Sequence, residues 1–481
     1  YGDHRDLHKE YRRQRQMCIR DRSHRSLPFK SHMAFNVISA GLITTGTTGA
    51  DLIVVNTGGF NQSTVLGLEG SDTINVVGYT TSTAVKLDAA GDADVINVSG
   101  NGSLSGATIL GGAGGDFISG SFSGFNNGII NGGDGNDTIN VSGLTFSAAS
   151  LTLGGGSDAL IISGVGSLAS ATVAGGSGND TIQVGEVTDL GSAQIIGGGG
   201  ADSIFISGTV NNTGVSINGD FAGNGGGADT ITISTELTGA IVKGKGGKDI
   251  ITMSGAAGTG SQVLGNAGAD SISIAVGVTE SGILVGAGSG NDTVFVSGLN
   301  SGNTINGGGG TDSISVDGAS SGVIFGGAGA DSIDIQAGFS GTVAFAALTD
   351  STLAKLDRVS GEDGLAGTGM RFTLSAVTTS LLSTGIAGGN GFSGSSLHTG
   401  VIGSGQFATA GNVTARAALL DSQGGRTANT TFVFEAANQN FLFIQGGAAG
   451  TADDLVAKIG TGAAAALTGV GFTLGSGSIT L

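Results

Sequence analysis

Aspartate returns along this chain at a nearly constant step, and almost every copy closes a glycine-rich stretch. Fourteen residues mark the series: Asp51, Asp72, Asp94, Asp116, Asp137, Asp158, Asp180, Asp202, Asp229, Asp249, Asp270, Asp292, Asp312 and Asp331. The steps between them are 21, 22, 22, 21, 21, 22, 22, 27, 20, 21, 22, 20 and 19 residues. A tight glycine turn points several carbonyl oxygens to one side, and the aspartate adds a carboxylate. Stacked in register, such turns make a file of hard oxygen donors about 4.8 Å apart. A file of carboxylates repels itself unless it is neutralised. Calcium suits it, because it takes six to eight oxygens in flexible geometry; magnesium demands a stricter octahedron. Zinc would need histidine or cysteine, and beyond residue 32 the chain has one histidine, His398, and no cysteine. The candidate ligands are Asp51, Asp72, Asp116, Asp137, Asp158, Asp180, Asp202, Asp229, Asp270, Asp292, Asp312 and Asp331. Asp94 and Asp249 follow weaker turns and are left out; Asp158, also at a weaker turn, is kept.

The elements that position these carboxylates follow from the same period. A fixed repeat of this size means stacked coils rather than one globular core. Two residues after each aspartate stands a branched aliphatic in all fourteen copies, from Ile53 and Ile74 to Ile314 and Ile333. Four residues after it, thirteen of fourteen are apolar, Gly120 being the exception. Thr, Ser and Asn mostly fill the places between, as in Asp137-Thr-Ile-Asn-Val-Ser-Gly143. This alternation is a half-buried β-strand. A second apolar run precedes each glycine turn, such as Thr108-Ile-Leu110, Leu151-Thr-Leu153 and Val323-Ile-Phe325. Glycine stands two residues before the aspartate in thirteen of fourteen copies, with Asp92 the exception, as a turn with positive φ requires. The chain is therefore expected to be all-β: a parallel β-solenoid or β-roll of about 14 coils, two strands per coil, on the order of 65 Å long.

The full turn reads Gly-Gly-Asp-Gly-Asn-Asp at 132–137, Gly-Gly-Ser-Gly-Asn-Asp at 175–180 and Gly-Gly-Ala-Gly-Ala-Asp at 326–331. With the aliphatic that follows, it resembles the Gly-Gly-x-Gly-x-Asp-x-Ile-x nonapeptide of RTX, or hemolysin-type, secreted β-roll proteins. The likeness covers about residues 46–338. It implies several bound Ca²⁺ ions held in the turns. In RTX rolls the nonapeptide recurs every nine residues and both edges bind calcium. Here it recurs once per coil, so one calcium ladder is expected on one edge. The other edge, as at Val141-Ser-Gly-Leu-Thr-Phe-Ser147, is expected to be a plain apolar-and-serine turn.

Composition changes sharply at residue 33. Residues 1–32 hold the only cysteine, the only proline, four of five histidines and nine of nineteen lysines and arginines. Arg15-Gln-Met-Cys-Ile-Arg-Asp-Arg22 resembles translated sequencing-adapter sequence, so the natural chain is expected to begin at Met33; the alternative is a basic, disordered arm. No basic residue lies between Met33 and Lys86, so the positive start of a secretory signal is not found there. The formal net charge of −18 argues against nucleic acid, and no run of about 18 apolar residues suggests a transmembrane segment.

The expected domains are a leader at 1–32, the solenoid at 33–340 and a mixed, mainly β C-terminal domain at 341–481. Within the last, Thr349–Leu356 and Val413–Asp421 have helical spacing, and Thr431–Glu435 with Asn440–Gln445 reads as a hairpin. Asp453 and Asp454 are expected to start a helix. Phe441-Leu-Phe-Ile-Gln-Gly-Gly-Ala-Ala-Gly-Thr-Ala-Asp-Asp-Leu-Val456 resembles the C-terminal ends of RTX-like proteins exported by type I secretion. That likeness implies export without an N-terminal signal peptide, to the cell surface or the medium. A cap closing the last solenoid coil is the other reading of this region.

No catalytic set is found. No His-Glu-x-x-His occurs; Gly318-Ala-Ser-Ser-Gly322 lies in a loose Ser/Gly turn, and Gly244-Lys-Gly-Gly-Lys248 lacks the phosphate-loop spacing. The function expected is a secreted, calcium-binding structural protein of the cell surface, surface-layer or coat-like. Its partners would be calcium ions, further copies of itself or cell-surface glycans. The alternative is a calcium-dependent adhesin or an ice- or glycan-binding solenoid.

Overall fold

Odd and even positions of each repeat part to opposite sides of a wall. In Thr138–Gly143, Ile139 and Val141 are buried while Thr138 and Asn140 face outward. In Ser150–Gly155 the same holds for Leu151 and Leu153 against Ser150 and Thr152. β-Branched side chains fill such pleated, half-buried surfaces well. Burial of each Ile or Val contributes about 1.5–3 kcal/mol.

The computed structural model describes residues 34–37, 41–56, 60–143, 145–208, 212–221, 226–255, 257–275, 281–297, 302–317, 321–335, 339, 341–345, 350–351, 355–361, 371–374, 380–381, 413–414, 417–418, 430–436, 439–444, 455–459 and 478–480. It is nearly all β: a parallel β-solenoid of about 13 turns with ~21-residue spacing, as the repeat requires. Fourteen marker aspartates bound that many steps.

Two parallel ladders run along the rod. In one, Ile118 pairs with Ile139, Ile139 with Leu160 and Leu160 with Ile182. In the other, Ile109 pairs with Ile130, Ile130 with Leu151 and Leu151 with Val173. Like residues therefore stack on like, and the core is a set of aliphatic columns. The edge opposite the glycine turns is closed by buried Phe122, Phe125, Phe146, Leu168 and Leu190. Phe125 and Phe146 pack with ring centroids 5.6 Å apart. That edge has a narrow ladder of its own, with Ser82–Thr83 beside Leu104–Ser105 and bridges such as Thr145 to Ser167. Each coil is thus two strands and a loosely bridged third side.

The 27-residue step keeps its register. Ser203 still pairs with Thr230 and Ile204 with Ile231, so the extra residues are absorbed in the glycine turn and not in a strand. A slip of one residue would turn the aliphatic column to solvent, which fixes the register.

The ladders run on past residue 340, where the sequence period is lost. Thr342–Phe345 pairs parallel to the strand at 323–329, and Arg371–Leu374 pairs parallel to it in turn. Asp357–Gly361 pairs parallel to Ser332–Ile335. The expected hairpin forms between Thr430–Ala436 and Gln439–Ile444. The helix expected to start at Asp453 and Asp454 does not form beyond them, because Leu455–Ile459 is a strand. It pairs antiparallel to Gln439–Ile444 and parallel to Asp357–Gly361, and these two partners override a local helix start. Within 413–421 the described residues 413–414 and 417–418 are helical, and the rest lie outside the described residues; of 349–356 the described residues 350–351 and 355–356 are bends or irregular rather than the expected helix. Among the described residues no helix is long and apolar enough to cross a membrane.

Candidate metal centre

The marker aspartates share the parity of the aliphatics two and four residues on, so their side chains enter the wall. All fourteen are at most 3% exposed. The carboxylates form an internal file just beneath the glycine turns.

One oxygen of each carboxylate is committed to the backbone. The N–H of Asp116 donates to Asp137 Oδ1 at 2.7 Å, that of Asp137 to Asp158 Oδ1 at 2.7 Å, and that of Asp158 to Asp180 Oδ1 at 2.9 Å. The same bond links every successive pair from Asp51 to Asp331, across the 27-residue step as well, where Asp202 N–H meets Asp229 Oδ1 at 2.8 Å. Each carboxylate thus ties its coil to the one before it.

The other oxygen is buried without a hydrogen-bond partner. This holds for Oδ2 of Asp72, Asp94, Asp116, Asp137, Asp158, Asp180, Asp202, Asp229, Asp249, Asp270, Asp292, Asp312 and Asp331. At the first coil the pattern differs, since Thr47 donates its N–H and its Oγ1–H to Asp51 Oδ2 at 2.5 and 2.9 Å. An unpaired buried acceptor costs about 1–3 kcal/mol, more when charged. So many in one file call for a cation or a proton.

The glycine turns set what these oxygens face. A Cβ on Gly111 would lie 2.4 Å from Asp116 Oδ2 and 2.4 Å from the Gly132 carbonyl oxygen of the next coil. A side chain there would fill the space that carboxylate and carbonyl share. Gly133, with φ of +117°, brings its backbone so close that a Cβ would lie 1.8 Å from Gly112 O. Asp92, which replaces glycine two residues before Asp94, holds φ of +71°, and its Oδ2 accepts the Gly70 N–H at 3.0 Å. Outer turn carbonyls accept the N–H of the previous coil, as Gly155 O does from Gly135 at 2.6 Å, which leaves each a second lone pair.

Burial raises the carboxyl pKa values, because the charged form loses its water. Burial, with neighbouring carboxylates adding to it, pushes Asp94 and Asp229 up to about 8 and Asp202 up to about 7 from 3.8. Asp137, Asp180, Asp249, Asp270 and Asp312 rise to about 6 by burial first and like-charged neighbours second. Two charges at the inter-strand spacing of roughly 4.8 Å repel by about 3 kcal/mol in a medium of effective dielectric near 20. A fully ionised file without counter-ions is therefore disfavoured.

The donor set suits a hard cation. It is all oxygen, one free carboxylate atom per coil with glycine carbonyls beside it. Among the described residues no three His, Cys, Asp or Glu side chains converge as a metal cluster. An ion in the file would therefore take at most two carboxylates and fill its shell with carbonyls, a composition calcium accepts.

All twelve candidate aspartates lie in this file, and so do Asp94 and Asp249, which the weaker turns had excluded. Two further buried aspartates escaped the period. Asp357 is a fifteenth member: Asp331 N–H donates to its Oδ1 at 2.9 Å, and its Oδ2 is unpartnered. Burial pushes it up to about 8. Its signal in the sequence is buried Val359 two residues on, but Lys355 stands where the repeat has glycine. Asp220 lies outside the file, in register with Gly198, and accepts the Gly246 N–H at 3.1 Å. No protein-family model matches this chain, and no curated protein is similar enough to serve as a relative.

Proposed function

We propose that this chain is a secreted, calcium-binding structural protein of the cell surface, surface-layer or coat-like, that folds when it meets calcium outside the cell. The observation that carries the reading is the file of buried Oδ2 atoms without partners. Asp72 to Asp357 would hold the ions, with glycine carbonyls completing each shell, and the likeness of the turns to RTX nonapeptides supports calcium among hard cations. Extracellular calcium modules bind at about 10⁻⁴–10⁻³ M. At ten times that dissociation constant each site stabilises the fold by about 1.4 kcal/mol, so ten sites contribute about 14 kcal/mol. That equals a typical domain's whole stability of about 5–15 kcal/mol. A chain so linked stays unfolded in low calcium and sets into a rod in high calcium. The C-terminal likeness to type I secreted proteins supports export without an N-terminal signal peptide.

The test is far-UV circular dichroism of the full chain in chelator and in millimolar calcium, with calorimetry alongside. The β signal is expected to appear with calcium and binding heat to accompany it. A spectrum indifferent to chelator, with no heat, refutes the reading.

A calcium-dependent adhesin, ice-binding or glycan-binding rod is the second reading. It is favoured by the outward Asn and Ser columns of the first ladder, where Asn97 Nδ2 donates to Asn75 Oδ1 at 2.9 Å. Exposed Phe117, Phe205, Ile250 and Phe295 interrupt those columns, which weakens them as a flat lattice. Retention on ice or on a glycan surface would favour this reading over the coat.

A further inference from the structure

The rod's surface has one conspicuous irregularity. Between residues 33 and 350 the chain has four lysines and no arginine, and Lys243, Lys245 and Lys248 share one glycine turn. The same place follows the 27-residue step. There Asp220 is buried and accepts the Gly246 N–H, which sets Phe221 beside the lysine turn. Phe221 is 47% exposed, the most exposed aromatic side chain among the described residues. None of the three lysines forms an ion pair; the described residues show one such pair, Lys86 with Asp88. Burial raises the Asp220 carboxyl above its usual range and attraction to Lys245 opposes that rise, while Lys248 is exposed. Insertions in solenoids gather on the face that meets a partner.

The complementary surface lies on the same edge of the same molecule. Glu69, Asp92 and Asp134 are exposed and form no ion pair among the described residues. Gly70 N–H bonds Asp92 Oδ2, so Glu69 and Asp92 are neighbours in successive coils. Glu69 stands in one column with Gly91, Ala113 and Asp134, small residues between two acids. The basic turn and the acidic stretch are about seven coils apart, or roughly 34 Å.

We propose that Phe221 with Lys243, Lys245 and Lys248 is a docking surface for a second copy of this chain, which receives it on its own Glu69, Asp92 and Asp134. Both surfaces lie on one edge, so two antiparallel rods related by a two-fold axis make the contact twice, as closed dimers do. Phe221 is the apolar anchor over the small residues, and the lysines meet the acids around it. The net charge of −18 makes two copies repel elsewhere, so this contact sets how they associate. The proposal gives the assembly reading a definite partner and contact, and it stands on surface charge whether or not calcium fills the internal file.

Sedimentation velocity of the folded full chain in calcium tests it, with circular dichroism on the same samples so that loss of fold and loss of association are told apart. At low salt the wild type is expected to dimerise, with at least a tenfold weaker dissociation constant in about 0.5 M salt, where charges are screened within a few ångströms. K243E/K245E/K248E and E69K/D92K/D134K are each expected to be monomeric, and their equimolar mixture to form a dimer again. F221S, which leaves every charge in place, is expected to weaken association at least tenfold. A wild type that stays monomeric at tens of micromolar overturns the proposal. So does a lysine variant that dimerises unchanged. Binding of heparin by a wild type that remains monomeric overturns it in favour of an anionic polymer as partner.

Discussion

Each marker aspartate from Asp72 onward does two separable things. Oδ1 accepts the N–H of the preceding coil, and Oδ2 is left for a cation or a proton. Asparagine keeps the first role, since its Oδ1 still accepts, and replaces the second, since its Nδ2 brings protons of its own. Changing Asp137, Asp158 and Asp180 together to Asn is therefore expected to increase the β signal that the chain shows in chelator, because three buried charges are gone. The gain on adding calcium is expected to shrink by about 4 kcal/mol if three sites at ten times their dissociation constant are lost. Circular dichroism in chelator and calcium titrations of the folded signal measure both; an unchanged calcium gain would remove these residues from the ligand set.

At the scale of elements, the hydrogen-bonded file needs an end. Asp357 N–H has no further aspartate to meet and donates to Ser351 Oγ at 2.8 Å. The same hydroxyl donates to Val456 O, while Val456 N–H donates to Ser351 O. One serine thus joins the last coil to the strand Leu455–Ile459, which covers the edge of the first ladder. Ladder edges left bare invite pairing with other chains. Ser351→Ala removes a buried acceptor and a buried donor and is expected to cost about 1–3 kcal/mol. Hydrogen exchange should quicken at the Asp357 amide and stay slow at Asp137. Exchange that stays equally slow at both sites in the variant would deny Ser351 this terminal role.

Across the whole molecule the buried carboxyls make stability depend on pH. Their folded pKa values, about 6 to 8, lie above the ordinary 3.8, so the folded chain holds protons that the unfolded chain releases. Stability from this source is complete below about pH 4 and is lost as pH rises through the folded values. In chelator the folded fraction, read as β signal, is expected to fall between about pH 4 and 8, most steeply near pH 5, where all of these carboxyls are protonated in the folded chain and ionised in the unfolded one. Calcium is expected to flatten that fall, because an ion neutralises what the proton had neutralised. A β signal in chelator that is flat or rises over this range would show that the file takes up no protons on folding.

The period of the aspartates and the parity of Ile139, Val141 and their counterparts determined the parallel rod, because like residues must stack on like when every coil has nearly one length. The sequence also placed the turns, since glycine best suits the positive φ at positions such as Gly133. Three things were decided only by tertiary structure. The carboxylates face inward and spend one oxygen on the backbone, which depends on the neighbouring coil's N–H lying in reach. Asp357 joins the file although Lys355 replaces the glycine, because strand pairing with Ser332–Ile335 holds it there. Leu455–Ile459 became a strand between two partners distant in sequence, which no local pattern around Asp453 encodes.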